Sequence, residues 1–199
     1  MSRKTKEHIC GTYCELMRKF PSENVSVKKI ISVLDINRST FYYHFKDTQD
    51  VVEYVMSSLS EGYISYLLKI SDLAGCEHEN DICKFEQEMF SYLDIHRENI
   101  QFLFREKYRD RFRKIFTEQF NRKTKNCSGV SVWPYGVTVQ MSGLPLDYVK
   151  FSLAQKGFDK LEFWCTHEIK DAPREFFLLS QNINATITLT GYSASRISS

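Results

Sequence analysis

A chain of 199 residues with 42% hydrophobic and 14% aromatic residues can bury a substantial core, and with only eight Gly and four Pro it reads as helix-rich rather than loop-rich. It has no apolar run of about 18 residues, which excludes a membrane-spanning helix, and its Met1–Lys6 start lacks the apolar stretch of a secretion signal. A cytoplasmic protein is expected, with its six cysteines kept as thiols because their spacing gives no disulfide framework. The net charge of +2 is unevenly spread: residues 1–46 carry nine bases against four acids, so a basic head precedes a mildly acidic body. Such a head suits a polyanionic partner.

The first predicted helix spans Thr5 to Phe20, with Ile9, Tyr13, Leu16 and Phe20 on one stripe, and Pro21 ends it. A second helix follows Ser26, a good N-cap, and places Val27, Ile30, Ile31 and Leu34 on one side. Val25 ahead of the cap packs on Ile30 as a hydrophobic staple. A short third helix starts after Asn37, predicted to cap it, and Ile36 and Phe41 repeat the staple. Only Asp35-Ile36-Asn37 separates the two, and two short stapled helices joined so tightly form a helix-turn-helix.

A longer connecting helix is predicted from Asp47 or Thr48 to Lys69, capped by Asp47, with Asp50 placed to complete a capping box. Residues 71–81 read as a loop. A helix over Ile82–Ile95 follows, then a helical region over Asn99–Arg122 with a break near Tyr108. Residues 126–146 change character: Val130, Val132, Val137 and Val139 alternate with polar residues around Pro134-Tyr135-Gly136, which predicts an irregular segment with a small hairpin. Leu146–His167 returns to helix and is apolar nearly all round, with Phe151, Phe158, Leu161 and Trp164. This implies burial on two faces, the second being a subunit contact. Pro173 opens a last helix to Asn184 carrying Phe176 and Phe177. The tail 185–199 is strand-like at first and then frays.

The runs Val27-Lys28-Lys29-Ile30, Leu34-Asp35-Ile36-Asn37 and Ser39-Thr40-Phe41-Tyr42-Tyr43-His44-Phe45-Lys46-Asp47 resemble the TetR family of bacterial regulators. The likeness is clear over about residues 5–60 and weaker over 82–120 and 147–180. It implies an all-α fold, with a helix-turn-helix DNA-binding domain over 1–47 and a helical regulatory and dimerisation domain over 48–199. It also implies a homodimer paired through a four-helix bundle of the last two major helices, with Phe176 and Phe177 at the contact, whose heads enter successive major grooves of a palindromic operator. Two departures stand out. Asp35 occupies a turn position usually held by Gly, and Thr48 stands where many members carry a base.

The residues themselves support a DNA contact. Arg38, Ser39 and Thr40 at the start of the third helix suit base edges, while Tyr42, Tyr43 and His44 suit mainly phosphates. Phe41 and Phe45 should point into the core. Lys46 lies at the next helix N-terminus, which favours phosphate, and Ser26 and Lys28 are further candidates. Cys76, His78 and Cys83 fit no common zinc site, so no metal or other cofactor is expected. The nine bases against three acids in 105–125 read as the solvated face of an amphipathic helix. Phe85, Met89, Phe90, Tyr92, Phe102, Tyr108, Phe112, Phe116 and Trp133 fit a pocket wall or a core equally. No nucleophile motif, phosphate loop or carboxylate pair marks an enzyme.

The expectation is therefore a dimeric repressor of transcription, bound to double-stranded DNA and modulated by a small-molecule effector or protein partner. The alternative is a coactivator of the same fold that works through a protein partner.

Overall fold

The computed structural model describes residues 3–20, 25–73, 79–126, 129–133, 137–139, 146–167 and 186–190. The chain divides into two compact units, residues 1–58 and 59–199. The expected helical class holds, with α1 (Arg3–Lys19), α2 (Val27–Leu34), α3 (Arg38–His44), α4 (Thr48–Leu73), α5 (Glu79–Leu103), α6 (Glu106–Lys123) and α7 (Leu146–Thr166). To these the chain adds three short strands, β1 (Gly129–Trp133), β2 (Val137–Val139) and β3 (Thr186–Thr190).

The first unit is built on α1, α2, α3 and the opening turns of α4. Ile9, Tyr13, Leu16 and Met17 of α1 are buried together with Ile30, Phe41, Phe45, Val51, Val52 and Met56. Fully burying a side chain the size of Ile30 or Phe41 stabilises the unit by roughly 1.5–3 kcal/mol each. Lys6 lays its ammonium 3.9 Å from the Tyr54 ring centroid and 5.1 Å from that of Phe45, so a charged residue of α1 covers aromatic surface while its head stays near water. The expected apolar stripe of α1 ends one residue early. Phe20 lies beyond the helix, is 38% exposed, and is covered by the Lys29 ammonium at 3.7 Å.

In the second unit, α5 runs without interruption through His96–Glu98, where the sequence pattern suggested a gap, and the break falls at Phe104–Arg105 rather than near Tyr108. There the Phe104 N–H donates to the Ile100 carbonyl, and Arg105 turns extended, its carbonyl accepting from Tyr108 and Arg109 as α6 begins. The core gathers Tyr63, Ile64 and Leu68 of α4, Met89, Phe90 and Leu93 of α5, Phe112, Phe116 and Phe120 of α6, and Phe158, Leu161 and Trp164 of α7. Phe158 lies at its centre, with its ring 5.2, 5.4 and 5.5 Å from those of Phe104, Phe112 and Phe116. Of the aromatic set that fitted pocket or core, Met89, Phe90, Phe102, Tyr108, Phe112 and Phe116 are buried in core.

Of the residues expected at a subunit contact, Phe158, Leu161 and Trp164 are 0, 1 and 4% exposed within a single chain and line its own core. Phe151 remains outside at 52%, beside Tyr148 at 59% and Phe163 at 45%. Phe176 and Phe177, with the predicted helix 173–184, lie outside the described residues.

Polar contacts fix α7 along its length. The Arg109 guanidinium makes two bonds to Glu162, at 2.6 and 2.7 Å, which hold it above its ordinary pKa, and Arg113 donates to Gln155 at 3.0 Å and Asp159 at 3.5 Å. Two of the bases read as a solvated face are therefore spent on the α6–α7 contact. From α5, Arg97 donates to the Trp164 carbonyl at 2.8 Å and Gln101 to the Cys165 carbonyl at 2.6 Å, which satisfies two acceptors that a helix end leaves open.

The alternating valines do form a hairpin. β1 pairs antiparallel with β2, Val130 opposite Val139 and Val132 opposite Val137, and residues 134–136 between them lie outside the described residues. β3 completes the sheet on the other side of β1, in the order β2-β1-β3, with Leu189 opposite Val130 and Ile187 opposite Val132. The strand-like start of the tail is thus a strand, and residues 191–199 lie outside the described set.

Candidate nucleic-acid interface

The local chemistry of residues 25–50 sets the geometry of α2 and α3. Ser26 adopts an extended backbone and its hydroxyl accepts the Lys29 N–H at 3.2 Å, capping α2 as the sequence suggests. Val25 and Ile30 of the predicted staple are both buried. α2 ends on Asp35 at φ 50°, ψ 47°, a left-handed conformation that an L residue reaches at a cost and that Asp tolerates better than most. The Asp35 and Ile36 N–H groups both close back on the Ile31 carbonyl, which turns the chain sharply into α3.

Asn37 stands at the N-cap of α3 with extended backbone, but its side chain makes no capping bond, contrary to expectation. The start of α3 is held instead by the Asn37 carbonyl, which accepts from Thr40 and Phe41, and by the buried Phe41 ring.

The candidate residues separate by exposure. Arg38, Ser39, Tyr42, Tyr43, Lys46, Ser26 and Lys28 are exposed, Thr40 and His44 are half-buried, and Phe41 and Phe45 are buried. Tyr43 is 69% exposed, a large apolar surface left in water beside the 46% of Tyr42. The Arg38 guanidinium sits 5.6 Å from the Tyr42 ring centroid, and the Tyr43 and His44 rings meet edge-on at 5.0 Å. The His44 Nε2 is enclosed and has no hydrogen-bond partner among the described residues.

Lys46 sits at the junction with α4. Its N–H donates to Asp50 Oδ2 at 3.0 Å, while Asp47 Oδ1 accepts from the Asp50 N–H at 2.8 Å. This is the reciprocal pattern of a capping box, shifted by one residue on the return bond. It holds the backbone at Lys46 and leaves the ammonium exposed. Exposed Arg3 and Lys4 on α1 were not singled out from sequence; their only signal was the pooled charge of residues 1–46.

The arrangement presents donors and cations, not reactive groups. Cys10 and Cys14 share a face of α1, and burial pushes their thiols up to about 12 and about 11, which disfavours the nucleophilic, metal-binding thiolate. No group of three or more metal-ligating side chains converges among the described residues; Cys76 and His78 lie outside them. No helix among the described residues is long and apolar enough to cross a membrane.

Helices capped and turned in this way, followed by a long helix and a larger helical unit, define a helix-turn-helix protein with a helical body. Solved structures of this fold exist. A TetR transcriptional regulator from Streptococcus agalactiae 2603V matches with a TM-score of 0.54 at 15% identity, over 92% of this chain and 95% of that one. A protein from Syntrophomonas wolfei str. Goettingen assigned to the TetR family of transcriptional regulators matches with a TM-score of 0.60 at 15% identity, over 92% of this chain and 94% of that one. No family model matches the chain, and no curated protein matches its sequence. The fold is that of TetR-type regulators.

Proposed function

We propose that the protein is a sequence-specific transcriptional regulator, a homodimeric repressor that grips double-stranded DNA with α3. The observation that carries this reading is the exposed row Arg38, Ser39, Tyr42 and Tyr43 on a helix whose other side is locked by Phe41, with Phe45 buried at its C-cap and Lys46 exposed just beyond. Arg38 reads a base edge, with Ser39 and Thr40 beside it, and Tyr42, Tyr43 and Lys46 engage phosphates. Ser26 and Lys28 at the start of α2 add backbone contacts, and His44 serves chiefly to hold Tyr43. The exposed Tyr148, Phe151 and Phe163 of α7 supply the apolar part of the subunit contact. An effector bound in the helical body shifts the spacing of the two heads and so changes operator affinity.

The test is a gel shift across a salt series on DNA flanking the protein's own gene, with random competitor DNA. A shift that survives competitor supports the reading. Arg38→Ala is expected to weaken specific binding by about 1–3 kcal/mol, roughly five- to 150-fold, and to relax preference at one position. Lys46→Ala is expected to weaken all sequences alike and to reduce the slope of log K against log salt by about one. A specific shift indifferent to both changes would remove α3 from the interface. No specific shift at low salt would favour a coactivator that works through a protein partner.

A further inference from the structure

We infer that β3 is a self-association edge, along which two copies pair antiparallel through Thr186–Thr190 about a two-fold axis at Thr188. The inference stands apart from the DNA-binding reading. Its starting point is the order β2-β1-β3, which leaves β3 outermost among the described residues. Alternate residues of an outer strand hold N–H and C=O groups with no ladder partner on the open side, and such a strand is a template for another strand.

Natural edges are usually blunted by charge or proline. This one has neither: from Phe176 to Ser195 the sequence carries no charged residue and no proline. The sheet as a whole is uncharged, since no charged residue occurs between Asn126 and Leu146 either.

Two further observations select a second copy of this chain as the occupant. The registers place Val130, Val132, Val137, Val139, Ile187 and Leu189 on one face of the sheet, and Gly129, Ser131, Trp133, Thr138, Thr186, Thr188 and Thr190 on the other. A strand joining β3 must match this division, because a slip of one residue exchanges the faces. The sequence Thr186-Ile187-Thr188-Leu189-Thr190 is close to its own reverse. Turned about Thr188, it sets Thr188 opposite itself, Ile187 opposite Leu189 of the second copy, and Thr186 opposite Thr190. Aliphatic positions then meet aliphatic positions and threonines meet threonines, pairings that favour adjacent strands. The product is a six-stranded sheet in which each division of faces continues across the axis, an isologous contact of the kind that closes on itself.

The axis makes the proposal directly testable. Opposed residues of an antiparallel pair have Cα atoms about 4.5 or 5.5 Å apart, and both separations suit a disulfide. Thr186 and its symmetry mate are instead roughly 14 Å apart, four strand residues at about 3.4 Å each. T188C and T186C would be compared with the parent chain under mild oxidation with glutathione, and cross-linked peptides read by mass spectrometry. T188C is expected to give a dimer linked from residue 188 to residue 188, at a rate roughly tenfold or more above T186C, and to lose that advantage in urea. No 188–188 link overturns the proposal, whether the edge is bare or taken by another segment. Equal linking by T186C overturns it as well, since it would report chance collision.

Discussion

Phe158→Ala is expected to lower the stability of the protein by about 3–5 kcal/mol, the usual cost of deleting a buried aromatic ring. Phe158 has no exposed surface and its ring meets those of Phe104, Phe112 and Phe116. Phe112 and Phe116 sit on α6, Phe158 on α7 and Phe104 at the α5–α6 break, so neighbours fixed by their own elements are poorly placed to collapse into the space. The loss is a large part of the ~5–15 kcal/mol that holds a folded domain together. For a chain of this size it corresponds to a fall in melting temperature of roughly 6–20 °C. Thermal unfolding followed by circular dichroism at several protein concentrations is the deciding measurement. A core role gives the same loss at every concentration. A loss that vanished on dilution would return Phe158 to the subunit contact expected from the sequence.

Gly62→Ala is expected to destabilise by about 1–3 kcal/mol, although alanine in a helix interior is ordinarily preferred to glycine by about 1 kcal/mol. A Cβ at Gly62 would overlap the Tyr92 hydroxyl and fall 2.5 Å from Cζ and 2.9 Å from Cε2. Tyr92 has little freedom to withdraw. Its hydroxyl donates to the Leu59 carbonyl at 3.2 Å, and its ring lies 5.7 Å from that of Tyr66 and 4.6 Å from that of His96. Burial also pushes the Tyr92 hydroxyl up to about 12, so it stays protonated and donating at neutral pH. The close approach of α4 and α5 thus depends on a missing side chain. The pair Gly62→Ala with Tyr92→Leu should recover most of the loss in thermal unfolding, and a double variant no more stable than Gly62→Ala alone would sink this account.

The head was largely legible in the sequence because its signals are local. Ser26 caps α2, Val25 and Ile30 are buried as a staple, and Asp47 with Asp50 fastens the start of α4, all within a few residues of one another. Asn37 shows the limit: its residue type suits a cap, yet its side chain makes no such bond. The break between α5 and α6 was misplaced for a related reason. Phe102, Leu103 and Phe104 are all buried and no Gly or Pro marks the turn, so the apolar pattern runs on through it. The burial of α7 was legible, but not what covers it. An apolar residue is recorded in the sequence, but the surface that covers it is not, and Phe158, Leu161 and Trp164 are covered by the chain's own helices. The exposed tyrosines of α3 could be proposed for DNA because their neighbours Phe41 and Phe45 already accounted for the core.

The sheet also sets an order of assembly. β1 and β2 are joined across residues 134–136, whereas the pairing of Trp133 with Thr186 must enclose the whole of α7. Loop-closure entropy makes the second pairing about 2–3 kcal/mol harder to begin. A hairpin of the first kind closes within about 1–10 μs, and the outer strand can lock in only after α7 has brought its far end back. In a single copy β3 is therefore the last rung to form and the first to lift, so at dilutions where no second copy pairs with it its amides should exchange with solvent sooner than those of β1 that face β2.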